Sequence, residues 1–108
     1  MSNFEEARAA LLRRVLEGEG KASFSDRRAA FDLDALRDPL RQLAENVANS
    51  PRSITDEDTD KLKRSGLSED QIFEVVVCAA IGQASRQYES AVGTLEKVRN
   101  EHAAPNPE

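Results

Sequence analysis

The chain has 108 residues, of which 39% are apolar, 5% aromatic and 32% charged, with a formal net charge of −5. That length predicts a single domain able to bury roughly 65% of its unfolded surface, while the acid excess and the lack of a basic patch argue against nucleic-acid and anionic-membrane partners. No apolar run approaches the ~20 residues of a membrane span, the opening Met1-Ser2-Asn3-Phe4-Glu5-Glu6 lacks the basic-then-apolar order of a signal peptide, and the lone Cys78 excludes an internal disulfide, so a cytoplasmic location is the expectation.

In chain order, Phe4, Ala7, Leu11, Leu12, Val15 and Leu16 fall on one helical stripe and predict a first helix over Asn3 to Glu17, with Ser2 and Glu5 as its capping box and Gly18 and Gly20 ending it. The stretch from Gly18 to Ser25 reads as a loop. A short turn or helix over Asp26 to Phe31 follows, with Phe31 expected in the core. Asp38 before Pro39 reads as an N-cap with proline at the first helical position. Leu40, Leu43, Ala44 and Val47 then form the apolar stripe of that helix, which Asn49-Ser50-Pro51 stops. Thr55 caps the next helix, with Asp56, Glu57 and Asp58 where the positive end of the helix dipole favours acids. Gly66 turns the chain in the left-handed conformation.

The strongest pattern comes last. Ser68 and Gln71 form a capping box, Leu67 and Ile72 a hydrophobic staple, and a long helix runs to about Val98. Val75 to Ile81 is apolar all round, which predicts cover on every side. Beyond it Ala84, Tyr88, Ala91, Val92, Leu95 and Val98 narrow to one stripe, with Arg86, Gln87, Glu89, Glu96 and Lys97 expected to face water. A helix of ~45 Å outgrows a compact domain of this size, so part of it is expected to pack on another subunit. Residues 1–102 are read as one helical domain and 103–108, with Pro105 and Pro107, as a disordered tail.

Four groups could carry chemistry. Asp56-Glu57-Asp58-Thr59-Asp60 resembles the start of a calcium loop, but Lys61 stands where glycine is needed and Leu67 where a bidentate carboxylate is needed, so it reads as helix capping. His102 has no second His and no nearby Cys and reads as an exposed tail residue. Cys78, inside the apolar run, reads as an inert core thiol whose pKa burial raises; a peroxidatic role would need an exposed thiolate beside a base. Glu74 is the one charge from Ile72 to Ile81, and three readings stay open for it. These are an ion pair with Arg27, Arg28, Arg64 or an arginine of a neighbouring subunit, simple exposure, or a catalytic carboxylate. The small residues Ala79, Ala80, Gly82, Ala84 and Ser85 permit close helix contact, and no glycine-rich phosphate loop is present.

The segments Ile54-Thr55-Asp56-Glu57-Asp58, Gly66-Leu67-Ser68-Glu69-Asp70-Gln71-Ile72-Phe73-Glu74-Val75-Val76-Val77 and Ala79-Ala80-Ile81-Gly82 together resemble the C-terminal half of the alkylhydroperoxidase D-like, or carboxymuconolactone decarboxylase-like, family. The resemblance covers Ile54 to about Val98 and implies an all-α fold, a small orthogonal or antiparallel helical bundle that assembles as a symmetric oligomer with the long C-terminal helix in the interface. In the family's redox members two cysteines spaced CxxC, with a histidine and a glutamate, exchange with peroxide. Here the cysteine positions fall at Pro51 and Ile54 and the histidine at Asp58, or, with Glu74 as the motif glutamate, at Arg86, Glu89 and Gly93. Neither placement supplies a thiol. The resulting expectation is a non-redox, oligomeric accessory or binding protein with neither cofactor nor metal, self-associating through residues 68–98, a small-molecule ligand or a protein partner being left open. Two alternatives stand beside it. One is an enzyme acting on a small acid or lactone through Glu74 and an arginine such as Arg86 in an inter-subunit cleft; the other is a thiol peroxidase through Cys78.

Overall fold

The computed structural model describes residues 2–103 and is all-helical, with no strand among them. Helix α1 spans Asn3–Glu17, α2 Phe24–Asp32, α3 Leu40–Asn49, α4 Asp56–Arg64 and α5 Glu69–Ala103, and a single 3-10 turn at Pro51–Ser53 links α3 to α4. Among the described residues no helix is long and apolar enough to cross a membrane. The tail expected after residue 102 lies, beyond Ala103, outside the described residues.

Most boundaries follow from local chemistry. The Ser2 hydroxyl accepts from the Glu5 amide and starts α1. Thr55 and Asp58 complete a reciprocal capping box on α4, and Ser68 with Gln71 does the same for α5, satisfying amides that the first helical turn leaves unpaired. The acids from Asp56 to Asp58 thus serve the helix start. Gly66 takes φ of 102° between α4 and α5, where a Cβ would be strained.

Elsewhere the structure departs from expectation. Helix α2 begins two residues earlier than read, because Ser23 caps it through the Asp26 amide. It ends on Leu33, whose φ of 56° lets Leu33 and Asp34 donate back to Ala30 and Ala29 as a glycine would. Asp38 is not the N-cap of α3: Pro39 holds that position, and the Asp38 carboxylate pairs with Arg41 at 3.2 Å. Of the stripe expected on α1, only Leu16 is buried, while Phe4 and Leu11 stay about half exposed.

Helix α5 is the axis of the molecule, whose extents are 67 × 28 × 21 Å. Its buried face carries Ile72, Val75, Cys78, Ala79, Gly82 and Ser85, packed with Leu16 of α1, Ala30 of α2, Leu43 and Ala44 of α3 and Leu62 of α4. Helix α2 lies alongside it in the same direction, from Ala22 at Glu74 to Phe31 at Arg86. Helix α1 runs opposite, from Val15 beside Cys78 to Phe4 against Tyr88, ring centroids 5.4 Å apart.

The apolar run Val75 to Ile81 is not covered on every side. Ala80 is exposed and Val76, Val77 and Ile81 are only half buried. At 3.6 residues per turn the exposed Phe73, Ala80, Ala84, Tyr88, Ala91, Leu95 and Val98, with half-buried Val77, share a face roughly opposite the core face. So α5 has two apolar faces, and one chain covers one of them. From Gly93 to His102 every residue is exposed.

Gly82 is where α2 comes closest. A Cβ there would lie 2.0 Å from the Phe31 carbonyl oxygen, backbone against backbone, whereas a Cβ at Gly93 would meet nothing within 4 Å. The same substitution therefore has opposite signs in one helix. Gly82→Ala should lower stability by about 2–3 kcal/mol through overpacking, and Gly93→Ala should raise it by up to about 1 kcal/mol through helix propensity, both read by urea unfolding at one protein concentration.

Candidate functional site

Where α1, α2 and the start of α5 meet, two buried or half-buried charges grip the loop from Gly18 to Ala22. The Glu74 carboxylate accepts from the Lys21 amide at 2.7 and 2.9 Å and from the Ala22 amide at 3.1 Å. Arg27, only 3% exposed, donates from Nε to the Ala22 carbonyl at 3.0 Å and from Nη1 to the Gly18 carbonyl at 2.6 Å. One side chain takes the loop's amides and the other its carbonyls. Gly20 sits between them: a Cβ there would fall 1.7 Å from Glu74 Oε1 and 2.8 Å from Arg27 Nη2.

This answers the question left open for Glu74. Its partners are backbone amides, and none of the ion pairs among the described residues includes it. Arg28 pairs with Asp32 and Arg64 lies exposed at the end of α4. Arg27 stays close enough to compensate the charge through space, and its guanidinium also lies over the Phe24 ring, 5.1 Å from the centroid. That arrangement limits the cost of burying both ions, which would be large for either alone.

Arg86 does not face water as expected. It is half buried, donates from Nη1 to the Phe31 carbonyl at 2.6 Å, and is steadied by Gln83 at 3.0 Å. Glu74 and Arg86 are twelve residues apart on one helix, roughly 18 Å. The chain does not bring them into one catalytic pair. They hold opposite ends of α2 instead, the anion at its amino-terminal end and the cation at its carboxyl-terminal end, as the helix dipole favours.

Cys78 is buried beneath the loop, its thiol 3.6 Å from the Val15 carbonyl. Burial pushes its pKa up to about 11, with the Arg27 charge opposing and the Glu74 charge adding to the rise. A thiol so placed is protonated and enclosed at neutral pH, which is the inert core role read from the sequence. His102 is exposed. Among the described residues no group of three or more His, Cys, Asp or Glu could hold a metal ion.

Outside the loop lies an open cleft of about 950 Å³ whose lining includes Glu17, Glu19, Lys21, Phe24, Asp70 and Phe73. Phe24 and Phe73 are 60% and 67% exposed, and the carboxylates outnumber the free lysine, so the cleft offers aromatic surface inside an acidic rim. A groove continues from it along α1 and α5, where Leu11, Val15, Phe73 and Val77 are joined by the charged Arg14, Glu19, Arg27 and Glu74. Arg27 was among the arginines the sequence offered to Glu74 without being singled out, and the cleft was not found. A signal was available in Ser23 and Asp26, which fix where α2 starts and so which arginine faces inward.

Replacing Glu74 with glutamine puts an amide donor against the Lys21 and Ala22 amides. Glu74→Gln should therefore cost about 1–3 kcal/mol in urea unfolding. A second measurement concerns pH. Between the ordinary thiol value of 9.0 and about 11, the unfolded chain has lost the Cys78 proton and the folded chain has kept it. Stability should accordingly fall as pH rises across that window, at up to about 1.4 kcal/mol per unit, and Cys78→Ala should remove that component of the slope.

Comparison of the chain with protein-family models, with curated proteins and with solved structures found no match.

Proposed function

We propose that the chain is a non-redox accessory or binding protein, built on the scaffold of the alkylhydroperoxidase D-like or carboxymuconolactone decarboxylase-like family and assembled as a homo-oligomer through α5. The observation that carries this reading is the second apolar face of α5. Phe73, Tyr88, Leu95 and Val98 are 41–67% exposed along it, and Phe4, 57% exposed, stacks on Tyr88. Together these side chains leave on the order of 400–500 Å² of apolar surface, at the upper end of what a soluble monomer carries.

The chemistry of the single chain supports a binding role over an enzymatic one. The carboxylate and the arginine that could have formed a catalytic pair are both spent on the backbone around α2. The one thiol is enclosed and protonated, which weighs against a thiol peroxidase. A cytoplasmic setting fits a chain whose only cysteine needs no partner.

Light scattering on a sizing column at micromolar concentration tests the assembly. The expected mass is a multiple of the 11.9 kDa chain. Leu95→Glu with Val98→Glu should reduce it to the monomer while far-UV circular dichroism stays unchanged, because both side chains are exposed within the chain. A clean monomer for the unaltered protein would overturn the proposal.

A further inference from the structure

We infer that a second copy of this chain docks antiparallel along the exposed face of α5, its free carboxyl-terminal half closing the acidic, aromatic cleft of the first. This rests on the assembly reading above and adds to it the direction, the register and the residues the second copy contributes.

The register is written in the spacing. Val77, Ile81, Ala84, Tyr88, Ala91, Leu95 and Val98 are separated alternately by four and three residues, the seam of a coiled coil. Bulky and small residues alternate unevenly along it. In a parallel pair each position meets its own copy, so tyrosine faces tyrosine in one layer and alanine faces alanine in the next two flanking layers. Overfull and empty layers would then sit side by side, each at a cost. In the antiparallel pair the bulk is shared out: Ala84 faces the partner's Tyr88, Ile81 the partner's Ala91, and Val77 the partner's Leu95.

Shape and charge agree with that direction. Past Gly93 the helix is a lone rod, exposed all round, while in the first half of α5 a groove flanked by α1 is lined by Leu11, Val15, Phe73 and Val77, with Arg14 and Glu19 among its charged residues. The same register sets the partner's Val98 beside Phe73 and Glu74 and the partner's His102 beside Asp70. It also brings the partner's Arg99 to the flank where Glu19 lies, beside Arg14. The cleft rim holds Glu17, Glu19 and Asp70 against a single lysine, so the partner's Arg99 is the kind of charge it lacks. The area fits as well. Two such faces bury ~800–1,000 Å² in total, and the polar rims beside them carry this toward the ~1,200 Å² total at the lower end of stable interfaces.

Cysteine pairs test the register. A Val77→Cys, Leu95→Cys double variant has its two new thiols eighteen residues, roughly 27 Å, apart within one chain, out of reach of a short bismaleimide. Cys78 is buried, so the unaltered protein serves as the unreactive control. The double variant should give about tenfold more covalent dimer on a denaturing gel than either single variant. Because positions 77 and 95 are apolar, a second pair, Asp70→Cys with His102→Cys, repeats the measurement at exposed residues whose loss leaves packing intact. Equal cross-linking of Leu95→Cys alone would establish a parallel pair and overturn the inference. So would an oligomer by light scattering that neither double variant traps. A monomer by light scattering would instead remove the assembly itself.

Discussion

The structure depends on how α5 holds α2. A nine-residue helix with little apolar surface of its own would not be stable alone, since a helix of that length is marginal in water. Here each end is fixed by a charge from the same long helix. Glu74 gathers the amides that lead into α2, and Arg86 takes a carbonyl where it ends. Arg27, on α2 itself, reaches back for the carbonyls of the preceding loop. The three side chains fix the position of α2 along α5 as well as its contact, and Gly82 lets the two backbones touch. Once α2 is set, Ala30 reaches the core and the end of α1 is drawn over Cys78.

The same interactions explain why charges that look catalytic in the sequence serve the fold. A lone glutamate in an apolar run must find compensation, and it can do so at a backbone as readily as at a side chain. Sequence spacing names the candidate arginines but is silent on amides, which every loop supplies. What the fold leaves open is surface: an acidic cleft with two exposed phenylalanines, and the uncovered face that runs from it along α5.

Much of the architecture was legible where the chemistry is local. Ser2, Thr55, Ser68 and Gln71 mark helix starts because capping is decided within four residues, and Gly66 marks a turn because few other residues tolerate its φ. The segment from Leu33 to Asp38 was not legible. Leu33 and Ala35 both have positive φ with no glycine or asparagine to announce it, and Leu36, directly after them, becomes a core residue. Asp38 before Pro39 carried the usual signature of a helix start, yet the carboxylate went to Arg41. The apolar run of α5 was read as buried all round because periodicity cannot separate one enclosed face from two opposed ones. The site was half legible. Glu74 and Arg86 stood out by type, but Arg27 depends on the phase of α2, and the cleft depends on a loop that no period describes.

A helix with two opposed apolar faces is constrained twice over. One row of α5 must suit the chain's own core, and in the proposed assembly the opposite row must suit a second copy, so only positions off both rows remain free to drift. In the outer half, where the core-facing row has ended, those positions are Glu89, Ser90, Gly93, Thr94, Glu96, Lys97 and Asn100, all exposed and polar or glycine. Sequence change in descendants of this chain should concentrate there. An insertion or deletion of one residue between Ile72 and Ser85 would rotate the two parts of each face against one another by about 100°, so that stretch of the helix cannot change its length without losing both.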